Sequence, residues 1–260
     1  MERIIKFKPL NECIYCRSKT NLSDEHILPL ALHGRWILPK ASCKKCADIT
    51  SSFELDVCRN IFGETRAYLK FPTRRKHPAD FSMTIEKKGT KEALDVPIME
   101  YGGRITFFFF TPPAYLLGRK DKTGINICGS QLYRIGGIEE KQLVDKYNAK
   151  AIEFHMKTKP TNFARMLAKI AYGFAVSKYG LNNFRPLILP AILGEKDDIG
   201  MWVGCEAQEQ ENFPKEDFVV NLSVKEDIIY SRIKFFGKFE QVPTYLVVVG
   251  EIKNNEDRKK

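Results

Sequence analysis

The sequence predicts an α+β protein, with a cysteine-stapled ββα finger at the amino terminus followed by a larger mixed α+β region. Three observations carry this. Two Cys-x-x-Cys pairs, Cys13/Cys16 and Cys43/Cys46, bracket short strand-like segments and lead into a helical stretch. One long segment, Asn162–Tyr179, has the 3.6-residue apolar period of an amphipathic helix. The remaining apolar runs are short, rich in β-branched and aromatic residues, and punctuated by Gly and Pro.

In chain order, residues 11–60 hold the cysteine pairs, the segment Ser23–Pro29, a strand-like Trp36–Leu38 and a helix expected from about Asp48 to Ile61. The stretch Arg66–His77, with the run Arg74-Arg75-Lys76-His77 between two prolines, reads as an exposed basic linker. These features give three expected units: a finger over residues 1–65, a linker over 66–80, and an α+β domain over 81–260. Strands are expected at Met83–Ile85, Ile105–Thr111, Tyr115–Leu117 and Ile125–Cys128. A helix over Glu139–Asn148 then leads into a strand at Ala151–His155. In Asn162–Tyr179 the residues Phe163, Met166, Leu167, Ile170, Ala171, Phe174 and Ala175 form one broad apolar stripe, with Thr161 as the expected N-cap and Gly180 as the C-cap. Three further strands are expected at Phe218–Val224, Ile228–Phe236 and Tyr245–Ile252, before a charged, frayed tail, Lys253–Lys260.

Bulk properties narrow the function classes. Apolar residues make up 43% of the 260, enough for a core, and no apolar run approaches the roughly 20 residues of a membrane span. No secretory signal is visible in residues 1–12, so a cytoplasmic location without membrane association is expected. The net charge is +10. Residues 1–80 hold 15 Lys and Arg against nine Asp and Glu, so the surplus is concentrated in the amino-terminal third, as a phosphate-backbone binder requires. Seven cysteines in such a chain argue against a disulfide framework. Cys58, Cys128 and Cys205 are isolated and read as small buried hydrophobes.

The two cysteine pairs carry the most specific chemistry. Each knuckle brings two thiolates to one turn, and two knuckles complete a tetrahedral zinc shell with no open position for water. Cys13, Cys16, Cys43 and Cys46 are therefore expected to hold a structural Zn²⁺. Between them lies Glu25-His26-Ile27-x-Pro29, and after them Ser51, Ser52 and Glu54 on the helix.

In this order of parts the segment 11–60 resembles the HNH endonuclease family, whose fold is a treble-clef-like ββα-metal finger. The resemblance implies a phosphodiester hydrolase acting on DNA, with His26 as the general base on water. Glu25, with a helix residue, would hold a catalytic Mg²⁺ or Mn²⁺. Imidazole titrates near neutrality, and a cation neutralises charge on the reacting phosphate, so the roles are chemically coherent. The family places Asn or His directly after the last knuckle cysteine; here that residue is Ala47, and Asp48 is the expected substitute. The alternative is a catalytically inactive finger that binds nucleic acid without cleaving it.

Expected phosphate contacts are Arg35, Lys44, Lys45, Arg66, Arg74, Arg75 and Lys76. The run Phe107–Phe110 reads as a strand buried on both faces rather than a base-stacking platform. The α+β region is expected to select substrate or partner, as a homo-oligomer or through another protein.

Overall fold

The computed structural model describes residues 4–154, 157–207, 214, 216–239 and 241–253. A short strand β1 (Ile5–Lys6) pairs in parallel with β3 (Trp36–Cys43), and β3 pairs antiparallel with β2 (Leu22–His26), giving the order β1-β3-β2. The strand expected at Trp36–Leu38 runs on through Pro39 to Cys43, and α1 (Lys44–Asn60) starts at the next residue rather than near Asp48. The second knuckle thus straddles a strand end and a helix start, with Cys43 in extended conformation as the N-cap of α1. Part of the expected linker is a second helix, α2 (Gly63–Tyr68).

The next strands are β4 (Asp80–Lys87) and β5 (Thr90–Pro97), a full hairpin of which sequence periodicity marked only the apolar centre Met83–Ile85. A single helical turn, α3 (Ile98–Tyr101), leads into β6 (Gly103–Phe110). The expected strand Tyr115–Leu117 is instead a 3₁₀ turn over Ala114–Leu117, started after two prolines and closed by Gly118 in the left-handed region. Strand β7 (Ile127–Ile135) pairs with β6, α4 (Glu140–Lys146) opens with a capping box at Glu139, and β8 (Ala151–Glu153) joins β4 to make the order β5-β4-β8. His155 and residues 254–260 of the charged tail lie outside the described residues.

The central element is α5 (Pro160–Tyr179). Pro160 occupies its first turn, where a missing N–H costs nothing, so the cap is Lys159 and Thr161 is already helical. Gly180 ends it at φ 82°. Around it stand β9 (Phe184–Pro186), α6 (Leu189–Leu193), α7 (Ile199–Trp202), β10 (Val203–Cys205), β11 (Phe218–Lys225), β12 (Ile228–Phe235) and β13 (Tyr245–Ile252). The strands β10, β11, β12 and β13 are antiparallel in the order β10-β13-β12-β11, with β9 on β13.

One hydrophobic core joins Ile14, Leu38, Phe53 and Val57 of the amino-terminal segment to Phe107, Phe163, Ile170, Ile233 and Val247. The expected boundary near residues 65–81 therefore does not separate two cores. A smaller cluster, Met83, Ile85, Val96, Tyr101 and Leu143, lies under the β5-β4-β8 sheet. Phe107, Phe108 and Phe110 are buried, and Phe107 meets Phe62, Phe163 and Phe235, as the two-sided strand expectation required. Cys58 and Cys205 are buried, whereas Cys128 is exposed on β7. Among the described residues no helix is long and apolar enough to cross a membrane.

Candidate metal centre and the buried ion cluster

Strand pairing and helix start bring the four knuckle cysteines together. One Sγ from each of Cys13, Cys16, Cys43 and Cys46 lies within 4.8 Å of the others, and Cys16 and Cys43 are 3.5 Å apart. A tetrahedron with Zn–S bonds of about 2.3 Å has edges of about 3.8 Å, so the donor set fits a structural zinc. Burial works to raise the Cys43 thiol. The backbone N–H of Cys46 and the neighbouring sulfurs outweigh it and leave the group at about 7. Burial and the neighbouring sulfurs push the Cys46 thiol up. Loading this cluster releases protons, so its zinc affinity falls as the solution is acidified. The cluster sits at the amino-terminal end of α1, where the helix dipole favours the thiolates that a bound metal requires.

Among the described residues, this is the only group of three or more Cys, His, Asp or Glu ligands gathered closely enough to hold a metal. The pair expected to hold a second, catalytic ion is not brought together. Asp48 lies on the solvent face of α1, 60% exposed, and pairs with Lys44 Nζ at 2.5 Å. Glu25 points the opposite way, into the interior, with a side chain only 7% exposed. Strand alternation turns Glu25 inward, and helix phase turns Asp48 outward.

What Glu25 meets is Lys169, a residue of α5 that is 1% exposed. Lys169 Nζ lies 2.7 Å from Glu25 Oε1 and 2.8 Å from Glu54 Oε1, and it also donates to the carbonyl oxygen of His26. A protein ammonium thus sits between the two carboxylates of the β2–α1 unit. Burial pushes the Glu54 carboxyl up against the pull of Lys169. The Tyr15 hydroxyl is buried without a hydrogen-bond partner among the described residues, and the Glu25 and Glu54 charges add to the burial that raises it. The same helix holds the first knuckle directly, since the Tyr172 hydroxyl donates to the Ile14 carbonyl at 2.5 Å. Asn162 donates to Asp56 of α1 at 2.7 Å.

His26 ends β2 with its ring half-buried and Nδ1 lacking a hydrogen-bond partner among the described residues. Burial, then the Lys169 charge, lowers its pKa below 6.5, against the opposing pull of Glu25. The imidazole is therefore neutral at pH 7. The fold favours the neutral ring, so this linkage is present above the unfolded value and withdraws stability as the pH falls through 6.5. An NMR titration should place the His26 midpoint below 6.5; a midpoint at or above that value would overturn the assignment.

The expected phosphate contacts divide. Arg74, Arg75 and Lys76 are exposed and make no ion pair among the described residues, and Lys45 is likewise exposed at the start of α1. Lys44 is exposed but engaged with Asp48, and Arg35 is half-buried just before β3. Arg66 is built into the fold. Its guanidinium donates to the carbonyls of Ala31 at 2.7 Å, Cys58 at 2.9 Å and Pro72 at 3.3 Å, which leaves it clamping the α1–α2 corner rather than free for a ligand. Lys169 and the pairing of Glu54 with it were missed from sequence. The one available signal was a lysine set among Met166, Leu167, Ala168, Ile170 and Ala171 on the buried part of α5.

The chain matches no family model, no curated protein and no solved structure.

Proposed function

We propose that the chain binds nucleic acid through an HNH-like, zinc-stapled ββα finger that grips the phosphate backbone without hydrolysing it. The observation that carries this reading is Lys169 Nζ between Glu25 and Glu54. In the HNH pattern Glu25 would serve a divalent ion; here its charge is already met by an interior ammonium that solvent does not reach. The helix side offers no replacement, because Ala47 has no donor and Asp48 faces away. What remains is a finger with Lys45 exposed for phosphate, followed along the chain by the exposed run Arg74, Arg75 and Lys76.

On duplex DNA the full-length zinc-loaded protein is expected to show affinity that falls linearly with log salt. Changing Arg74, Arg75 and Lys76 together to alanine should weaken binding similarly on all sequences and reduce the salt slope by roughly three. An unchanged slope would remove this run from the interface, and no binding at low salt would end the proposal.

The endonuclease reading keeps one specific support, the neutral, half-buried imidazole of His26 at the end of β2, which has the protonation state a general base needs. Supercoiled plasmid with Mg²⁺ or Mn²⁺ separates the two. The binding reading expects no nicking. Metal-dependent nicking lost in His26→Ala would establish the nuclease instead, and its loss in Asp48→Ala would assign Asp48 to the metal.

A further inference from the structure

At the last turn of α1 a cavity of about 220 Å³ opens against β4 and β6, lined by Arg59, Asn60, Glu64, Phe81, Arg104 and Lys157. Its floor is Arg104, only 4% exposed. The guanidinium packs on two aromatic rings that meet edge to face, its carbon 4.0 Å from the Tyr101 centroid and 3.5 Å from that of Phe154. Nη1 donates to the Tyr101 carbonyl at 2.7 Å, and among the described residues no carboxylate lies within ion-pairing distance of Arg104. The carboxyl on the cavity wall is Glu64, whose Oε1 accepts from the Tyr101 hydroxyl at 2.7 Å and whose Oε2 is buried without a partner among the described residues. Arg59 and Lys157 are exposed at the rim, and neither forms an ion pair among the described residues.

A guanidinium taken out of water without a direct ion pair is costly; Glu64 and Glu140 act on Arg104 only from beyond ion-pairing distance. Here three cations line the cavity with one carboxyl, and the buried arginine is packed on the Tyr101 and Phe154 rings. A planar guanidinium fork matches a phosphate better than it matches a single acceptor, and the rim cations supply the balance for a dianion. The volume lies below the roughly 300–1,000 Å³ of sites that enclose drug-sized ligands, so it suits the charged end of a ligand rather than a large whole molecule.

We propose that this cavity binds the phosphate group of a phosphate monoester, with Arg104 as the buried anchor and Arg59 and Lys157 closing over it. The same chemistry is presented by a free nucleotide and by the 5′-phosphorylated end of a nucleic-acid strand. The inference does not rest on the finger contacting DNA, since a free monoester would bind whether or not the finger does.

The test is calorimetric or NMR titration of the full-length zinc-loaded protein at low salt with inorganic phosphate, a nucleoside 5′-monophosphate and the matching unphosphorylated nucleoside. The monophosphate should bind and the nucleoside should not, with Arg59→Ala and Lys157→Ala each weakening binding about tenfold. Arg104→Lys keeps the charge but loses the fork and should weaken it further. The two rim variants, being exposed, keep the test valid if Arg104→Lys fails to fold. Preference for a 5′-phosphorylated oligonucleotide over its 5′-hydroxyl twin supports the proposal and identifies strand ends as the source. Monophosphate binding without that preference also supports it and identifies a small molecule. Absence of saturable monophosphate binding, or binding indifferent to the Arg59→Ala/Lys157→Ala double variant, overturns it.

Discussion

Lys169→Met is expected to destabilise the protein by roughly 3–5 kcal/mol, the cost of leaving buried carboxylates without their cation. For a chain of this size that lowers the melting temperature by about 10 °C. The loss should depend on pH with a definite sign. Glu54 already has a raised pKa through burial, and without Lys169 it rises further. A carboxyl whose folded pKa lies above its unfolded value contributes stability below the unfolded value and loses it as the pH rises through the folded one. The variant should therefore fall further behind the wild type at pH 8 than at pH 5. Adding Glu25→Gln and Glu54→Gln to Lys169→Met should recover much of the stability, because neutral groups of the same shape need no counter-charge. Paired thermal melts at the two pH values check this. A Lys169→Met protein as stable as the wild type at pH 8 would mean that the ammonium does not hold Glu25 and Glu54 in solution.

Removal of zinc is expected to have the larger effect. Structural zinc in small finger peptides contributes about 10–16 kcal/mol at neutral pH, which is folding free energy because the unfolded chain has no preformed site. Here the knuckles are not peripheral. Cys13, Ile14 and Tyr15 are buried in the same core as Phe163 and Val247, and Tyr172 of α5 is bonded to the Ile14 carbonyl. Chelation, or Cys43→Ser with Cys46→Ser, should therefore lower the melting of the whole chain rather than of its first sixty residues alone. Circular dichroism at far- and near-ultraviolet wavelengths, with metal content measured on the same sample, reads this out. A chelated protein whose melting is unchanged would show that the four thiols hold no stabilising metal. Acid should produce the same loss by protonating the cysteines.

Local chemistry was legible in the sequence. The two Cys-x-x-Cys spacings determined the zinc-compatible cluster, since four thiolates at two tight turns leave little geometric freedom once the turns meet. The apolar period of residues 162–179 determined α5, and alternation determined that Phe107–Phe110 lies in a strand buried on both faces. Boundaries moved where flanking structure overrode local preference. Strand β3 runs through Pro39 to Cys43, and α1 starts where the second knuckle must turn, whereas propensity placed it near Asp48.

Which way the charged side chains face was decided by tertiary structure alone. Glu25 reads in sequence as part of Glu-His-Ile-x-Pro, with nothing nearby to show that its partner stands 144 positions further on at Lys169. Arg66 belongs to a basic stretch, yet packing points its fork at three carbonyls. Arg104 sits in an apolar strand, and only the approach of Tyr101, Phe154 and Glu64 makes it a buried cation beside a cavity. The physical reason is common to all three. Secondary structure follows from neighbours along the chain. The energy of a charge follows from what surrounds it in space, because desolvation and counter-charge act over a few ångströms regardless of sequence separation.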